Sequence, residues 1–108
     1  MLREQSLAKE IVMFDGVIRR TLNYGERTLL AEIIFEAGSV VPWHSHPHEQ
    51  IGYLASGRLF FELGDDEKKE LEAGDSWLVS SNVPHKVTAL APSIAIDIFS
   101  PVRDDYKY

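Results

Sequence analysis

Short runs of alternating apolar and polar residues recur along the chain, broken at close intervals by Gly, Pro, Asn or Asp. "GVIRRTLN" leads into the turn "NYGE", and "RTLLAEIIFE" runs up to Ala37-Gly38. "QIGYLA" and "RLFFEL" flank Ser56-Gly57, which reads as a hairpin with Gly57 at the positive φ of a tight turn. "GDDE" turns the chain into "KKELE", "AGD" precedes "SWLVS", and "APS" separates "NVPHKVTAL" from "SIAIDIFS". Roughly eight to ten short strands of this kind predict an all-β fold, an antiparallel double-sheet β-barrel of jelly-roll type. No amphipathic helix emerges beyond a turn in the first ten residues. With no linker or internal repeat, residues 1–108 read as one domain, with 1–10 as an N-terminal arm.

Strand parity sharpens the picture, because alternate side chains face opposite sides. In "SIAIDIFS", Ile94, Ile96 and Ile98 share one face and Ala95, Asp97 and Phe99 the other. The isoleucine face is expected to be core. An acid between two isoleucines, beside Phe99, then stands out as a group placed for a purpose.

The chemistry concentrates in "VPWHSHPHEQIGY", which holds three of the four histidines. His44 and His46 are two apart, so an extended segment points both imidazoles the same way. Gln50 shares their parity and Glu49 does not, although Pro47 can reset the alternation. His85, in "NVPHKV", can bring a third nitrogen from a distant strand. On spacing alone this stretch is equally an exposed turn, a proton-handling site or half of a metal site. Trp43, Tyr53 and Trp77 are candidates to line a cavity.

Composition narrows the partners. Hydrophobic residues are 44% and charged residues 26%, as in ordinary folded proteins. Eleven Lys and Arg against 17 Asp and Glu give a net charge of −6, which opposes a nucleic-acid partner. The absence of cysteine excludes disulfides and thiolate chemistry. "MLREQSLAKE" lacks the apolar centre of a secretory signal, and no apolar run approaches the roughly 20 residues of a membrane span. The expected location is therefore the cytoplasm.

The spacing from Gly38 through His44-Ser45-His46 and Gln50 to Gly57 resembles the first motif of the cupin family, with glutamine where glutamate is usual. Residues 74–89 resemble the second motif. Gly74 opens it and His85 stands at the ligand position, while Ser80 and Asn82 replace the usual proline and glycine and Ala89 the terminal asparagine. Asn82 can still adopt the left-handed conformation of a turn glycine. The resemblance implies a single divalent transition metal (Ni, Zn, Fe or Mn) on His44, His46, Gln50 and His85, with His48 and Glu49 outside the ligand set.

"IDIFSPVRDDY" further resembles the end of small single-domain cupins of the KdgF type. Those proteins ketonise 4,5-unsaturated uronates in pectin and alginate breakdown. Their functional Asp, Phe and Arg are matched by Asp97, Phe99 and Arg103. The resemblance implies catalytic roles for Asp97 and Arg103, a sugar-face contact for Phe99 and a small sugar acid as substrate. Two alternatives stand beside it, a metal-dependent dioxygenase and a non-catalytic small-molecule-binding cupin. Open sheet edges and the family's habits predict a homodimer through an outer sheet face, with the arm able to add an edge strand to the partner.

Overall fold

The predicted alternation becomes ten strands in the computed structural model, which describes residues 1–108. They are β1 (Glu10–Phe14), β2 (Val17–Tyr24), β3 (Leu29–Phe35), β4 (Val40–His44) and β5 (Glu49–Ser56). The second half supplies β6 (Arg58–Leu63), β7 (Glu67–Glu72), β8 (Ser76–Val79), β9 (His85–Ala89) and β10 (Ser93–Ser100). Short 3-10 turns at Gln5–Leu7 and Asp104–Tyr106 are the only helical elements. A six-stranded sheet, in the order β1-β2-β3-β10-β5-β8, and a four-stranded sheet, β4-β9-β6-β7, make the jelly-roll-like arrangement. All strand pairs are antiparallel.

The interior between the sheets is filled by alternate residues, Val17, Leu29, Leu54, Leu59, Val79, Val87 and Ala95 among them. On β10 the inward residues are Ala95, Asp97 and Phe99. The isoleucine face expected to be core is therefore the outer one, and Ile94, Ile96 and Ile98 are half-buried or exposed there. Parity assigned the residues to faces correctly. It ranked the two faces wrongly, because the more apolar face of this central strand is the outer one and the inner one carries Ser93 and Asp97.

Ser56-Gly57 does not make a hairpin. β5 belongs to the larger sheet and β6 to the smaller, so the chain changes sheets at this corner. Gly57 has φ +94, and a Cβ on it would lie 2.1 Å from Ser93 Oγ and 2.4 Å from the Pro92 carbonyl. Only glycine suits both the backbone and the space. The charged segment "GDDE" does form the expected solvated hairpin between β6 and β7.

The first nine residues form no strand within the chain itself. Gln5 Nε2 instead donates to both carboxylate oxygens of Glu32 in the same chain, at 3.1 and 3.2 Å. No helix is long and apolar enough to cross a membrane.

Candidate metal centre

Two of the three histidines sit on the smaller sheet, where His44 at the end of β4 pairs in register with His85 at the start of β9. His46 lies in the link that carries the chain to β5 on the other sheet, and its side chain is buried. Asn82, at φ +64, makes the left-handed turn before β9, and its N–H donates to the His46 carbonyl at 2.8 Å. The turn thus ties the His46 link to the strand that delivers His85.

The three rings are held in the same way. Nδ1 of each faces a backbone carbonyl: His44 on Pro42 at 2.8 Å, His46 on His48 at 2.9 Å and His85 on Val83 at 3.0 Å. With Nδ1–H donating outward, Nε2 carries a free lone pair. The ligand nitrogens all lie within 4.8 Å of one another. Burial lowers the His85 pKa to about 4 and that of His46 as well, so both are neutral at pH 7 and able to bind a cation.

Two details test whether an ion fits. His85 Nε2 is buried without any hydrogen-bond partner. An orphaned polar atom of this kind is costly unless something binds it. In addition, His46 Nε2 lies 3.0 Å from Gln50 Oε1. A bare imidazole nitrogen facing a carbonyl oxygen sets lone pair against lone pair, and only a cation or a proton reconciles them. Two neighbouring ligands about 2.1 Å from one ion stand roughly 3 Å apart at a right angle. The three histidines can hold a metal ion, and Gln50 is positioned beside them.

Gln50 leads on to Asp97. Its Nε2 donates to Asp97 Oδ1 at 3.0 Å, and Trp77 Nε1 donates to the same oxygen at 2.8 Å. Asp97 Oδ2 has no protein partner and is not sealed off, which leaves it facing the cavity. Burial raises the Asp97 carboxyl to about 6, against the opposing effects of Gln50, Trp77 and the Arg103 charge. Trp77 and Phe99 flank it inside, while Ile96 and Ile98 lie on the other side of the sheet.

The cavity encloses about 60 Å³, room for a few water molecules, and is lined by His44, Gln50, His85, Asp97, Phe99 and Arg103 together with apolar side chains. The structure thus gathers every residue that the sequence had singled out for the site, with His46 adjoining through Gln50 and Phe99. Of the three aromatic candidates only Trp77 lines the cavity; Trp43 and Tyr53 are half-exposed on outer faces. Arg103 does not pair with Asp97. Its carboxylate partner is Asp105, at 2.9 Å. His48 is half-buried and contributes its backbone carbonyl to His46.

The sequence points to Trp77 as a cavity-lining candidate but not to its bond with Asp97, and it gives Gly52 no role. The indole N–H of Trp77 is a direct partner of Asp97, and Gly52 lies between them in the register row Asp97–Gly52–Trp77. The signal was present, since a glycine inside an apolar strand marks close approach of another group.

The cupin domain family matches residues 31–99, which contain every ligand candidate. The chain belongs to the cupin family. This cupin is 33% identical over 94 residues to the pectin degradation protein KdgF of Dickeya dadantii, covering 85% of this chain and 84% of that protein. The solved structure of KdgF from Halomonas sp. superposes with a TM-score of 0.91 at 30% identity, covering 99% of this chain and all of the other. An RmlC-like cupin from Shewanella frigidimarina superposes with a TM-score of 0.87 at 29% identity, over 94% of this chain and 91% of that one.

Proposed function

We propose that this cupin is a metal-dependent isomerase that ketonises 4,5-unsaturated uronates or a related small sugar acid. The observation that carries the reading is Asp97, a buried carboxyl with one oxygen anchored and the other free in the cavity that the histidines line. Likeness to two KdgF proteins, one named for pectin degradation, supports the substrate class.

In this reading His44, His46, His85 and Gln50 hold one divalent transition metal, Ni, Zn, Fe or Mn. Three imidazoles and an amide oxygen form a neutral donor set, and ligand type alone leaves these metals in competition. When bound, the ion supplies Lewis acidity toward a sugar oxygen.

The chain's own residues move the proton. Asp97 Oδ2 takes it from the hydroxyl on the anomeric carbon as the bond from that carbon to the ring oxygen opens. An aldehyde and an enolate oxygen result, the latter on the carbon bearing the carboxylate. The same carboxyl then returns the proton to the neighbouring alkene carbon, giving the ketone with no net gain or loss of atoms. A carboxyl raised toward neutrality suits a group that must both accept and donate. Arg103 binds the substrate carboxylate next to the developing enolate. Phe99 supplies an apolar wall for the sugar.

The same reading has the protein acting in the cytoplasm as a homodimer. Leu78, Ile51 and Ile98 form one register row on the outer face of the larger sheet, with Tyr53 beside them, all notably exposed. A second copy placing the same row against this one would cover both.

The test follows freshly generated 4,5-unsaturated galacturonate by ultraviolet loss of its conjugated double bond. It compares metal-loaded protein, chelated protein and a protein-free blank, because the sugar ketonises unaided. Metal-dependent acceleration over the blank is expected. A correctly metallated protein that leaves the blank rate unchanged removes the proposal.

A further inference from the structure

The role given to Arg103 depends on where its guanidinium points, and residues further along the tail hold it there. Asp105 accepts from Nη2 at 2.9 Å and from Nε at 3.3 Å, occupying one edge of the fork. Nη1 donates to no protein group. The Tyr106 ring centre lies 3.8 Å from the guanidinium carbon, covering one face, and the Phe99 ring is at 5.0 Å.

Tyr106 is itself immobilised. Its N–H donates to the Arg103 carbonyl at 2.9 Å, which closes the 3-10 turn, and its own carbonyl accepts the Thr21 hydroxyl. The buried Arg19, which has no carboxylate partner, sets its guanidinium 4.1 Å from the same ring. Tyr106 thus lies against two guanidinium groups, those of Arg19 and Arg103, which hold its ring in place.

We infer that Asp105 and Tyr106 are positioning residues that grip Arg103 by one edge and one face, aiming its remaining Nη1 donors at the carboxylate of an acid in the cavity. This rests on the reading of Arg103 as the carboxylate-binding residue. An unrestrained arginine loses rotamer freedom whenever it binds, whereas one clamped beforehand has already lost it. Asp105 is an exposed residue and can be replaced without opening the core, which makes it the better handle.

The experiment titrates zinc-loaded protein calorimetrically with D-galacturonate and, separately, with D-galactose, which lacks the carboxylate. The parent is expected to prefer the acid. Asp105→Ala is expected to weaken galacturonate binding by about three- to tenfold while galactose binding and zinc content stay as they were. Asp105→Glu should restore most of the loss, because it returns a carboxylate to the fork. If Asp105→Ala binds galacturonate as well as the parent or better, Asp105 is a bystander or a competitor and the inference is wrong. A parent that fails to prefer the acid overturns the reading of Arg103 itself, and this inference with it.

Discussion

Trp77 reaches over Gly52 to donate its indole N–H to Asp97, joining side chains on β8 and β10 across the strand between them. The contact exists because position 52 has no side chain. A Cβ there would lie 2.1 Å from the indole and 2.4 Å from Asp97 Oδ1. Neither neighbour is a loose chain end, so one of them must move.

Gly52→Ala is therefore expected to cost about 1–3 kcal/mol of stability and to break the indole–carboxylate bond. Gly25→Ala is the control, since nothing lies within 4 Å of the added atom. Urea denaturation of the two variants checks this; equal midpoints would contradict the packing argument.

Asp97→Asn is expected to stabilise the metal-free protein at neutral pH. The folded carboxyl titrates at about 6, above the ordinary value of 3.8. As pH rises from the lower value to the higher, the unfolded chain releases its proton first, so burying the charge costs stability increasingly up to about pH 6. An amide removes that cost and still offers Oδ1 to Gln50 and Trp77. The variant should exceed the parent by about 1–3 kcal/mol above pH 6, with the gap closing toward pH 4. Denaturant titrations at several pH values measure it, and a gap independent of pH would show that the carboxyl is not desolvated.

His85→Ala deletes the nitrogen that lacks any protein partner. Zinc affinity is expected to fall by at least about tenfold, as loss of a ligand should cost no less than loss of its supporting contacts. Equilibrium dialysis against zinc reads the change. Undiminished affinity would place the ion elsewhere.

Ile51→Lys puts a charge in the middle of the apolar row on the outer face. Light scattering is expected to give the parent twice the 12.2 kDa chain mass and the variant the chain mass alone. A monomeric parent would leave the exposed row without this explanation.

Much of the centre was legible because its residues stand close together in the chain. The spacing of His44, His46 and Gln50 picks out the right residues, although a common strand face is not what joins them, since His46 lies in the link and Gln50 on the other sheet. The arrival of His85 depended on a distant strand, which the motif resemblance supplied and the His44–His85 register bears out. The inward face of β10 was misread for a physical reason. Alternation separates two faces but ranks them by hydrophobicity, and this strand places three isoleucines outside and an acid inside. The sheet change at Gly57 was missed because a turn glycine looks the same whether the chain folds back or crosses to another layer. Trp77's bond to Asp97 spans an intervening strand, and strand order is set by long-range pairing that no short window contains.

His44 and His85 belong to the smaller sheet, whereas Gln50 comes from the larger one. An ion held by all of them would be bonded to both layers at once. Pulling the layers apart would then require releasing it, and the fold would gain RT ln(1 + [metal]/Kd) relative to the unfolded chain, about 2.7 kcal/mol at a hundredfold excess over Kd. The melting temperature of this protein would then report the free-metal concentration around it, and starvation for the ion would loosen the scaffold at the same time as it silenced the chemistry.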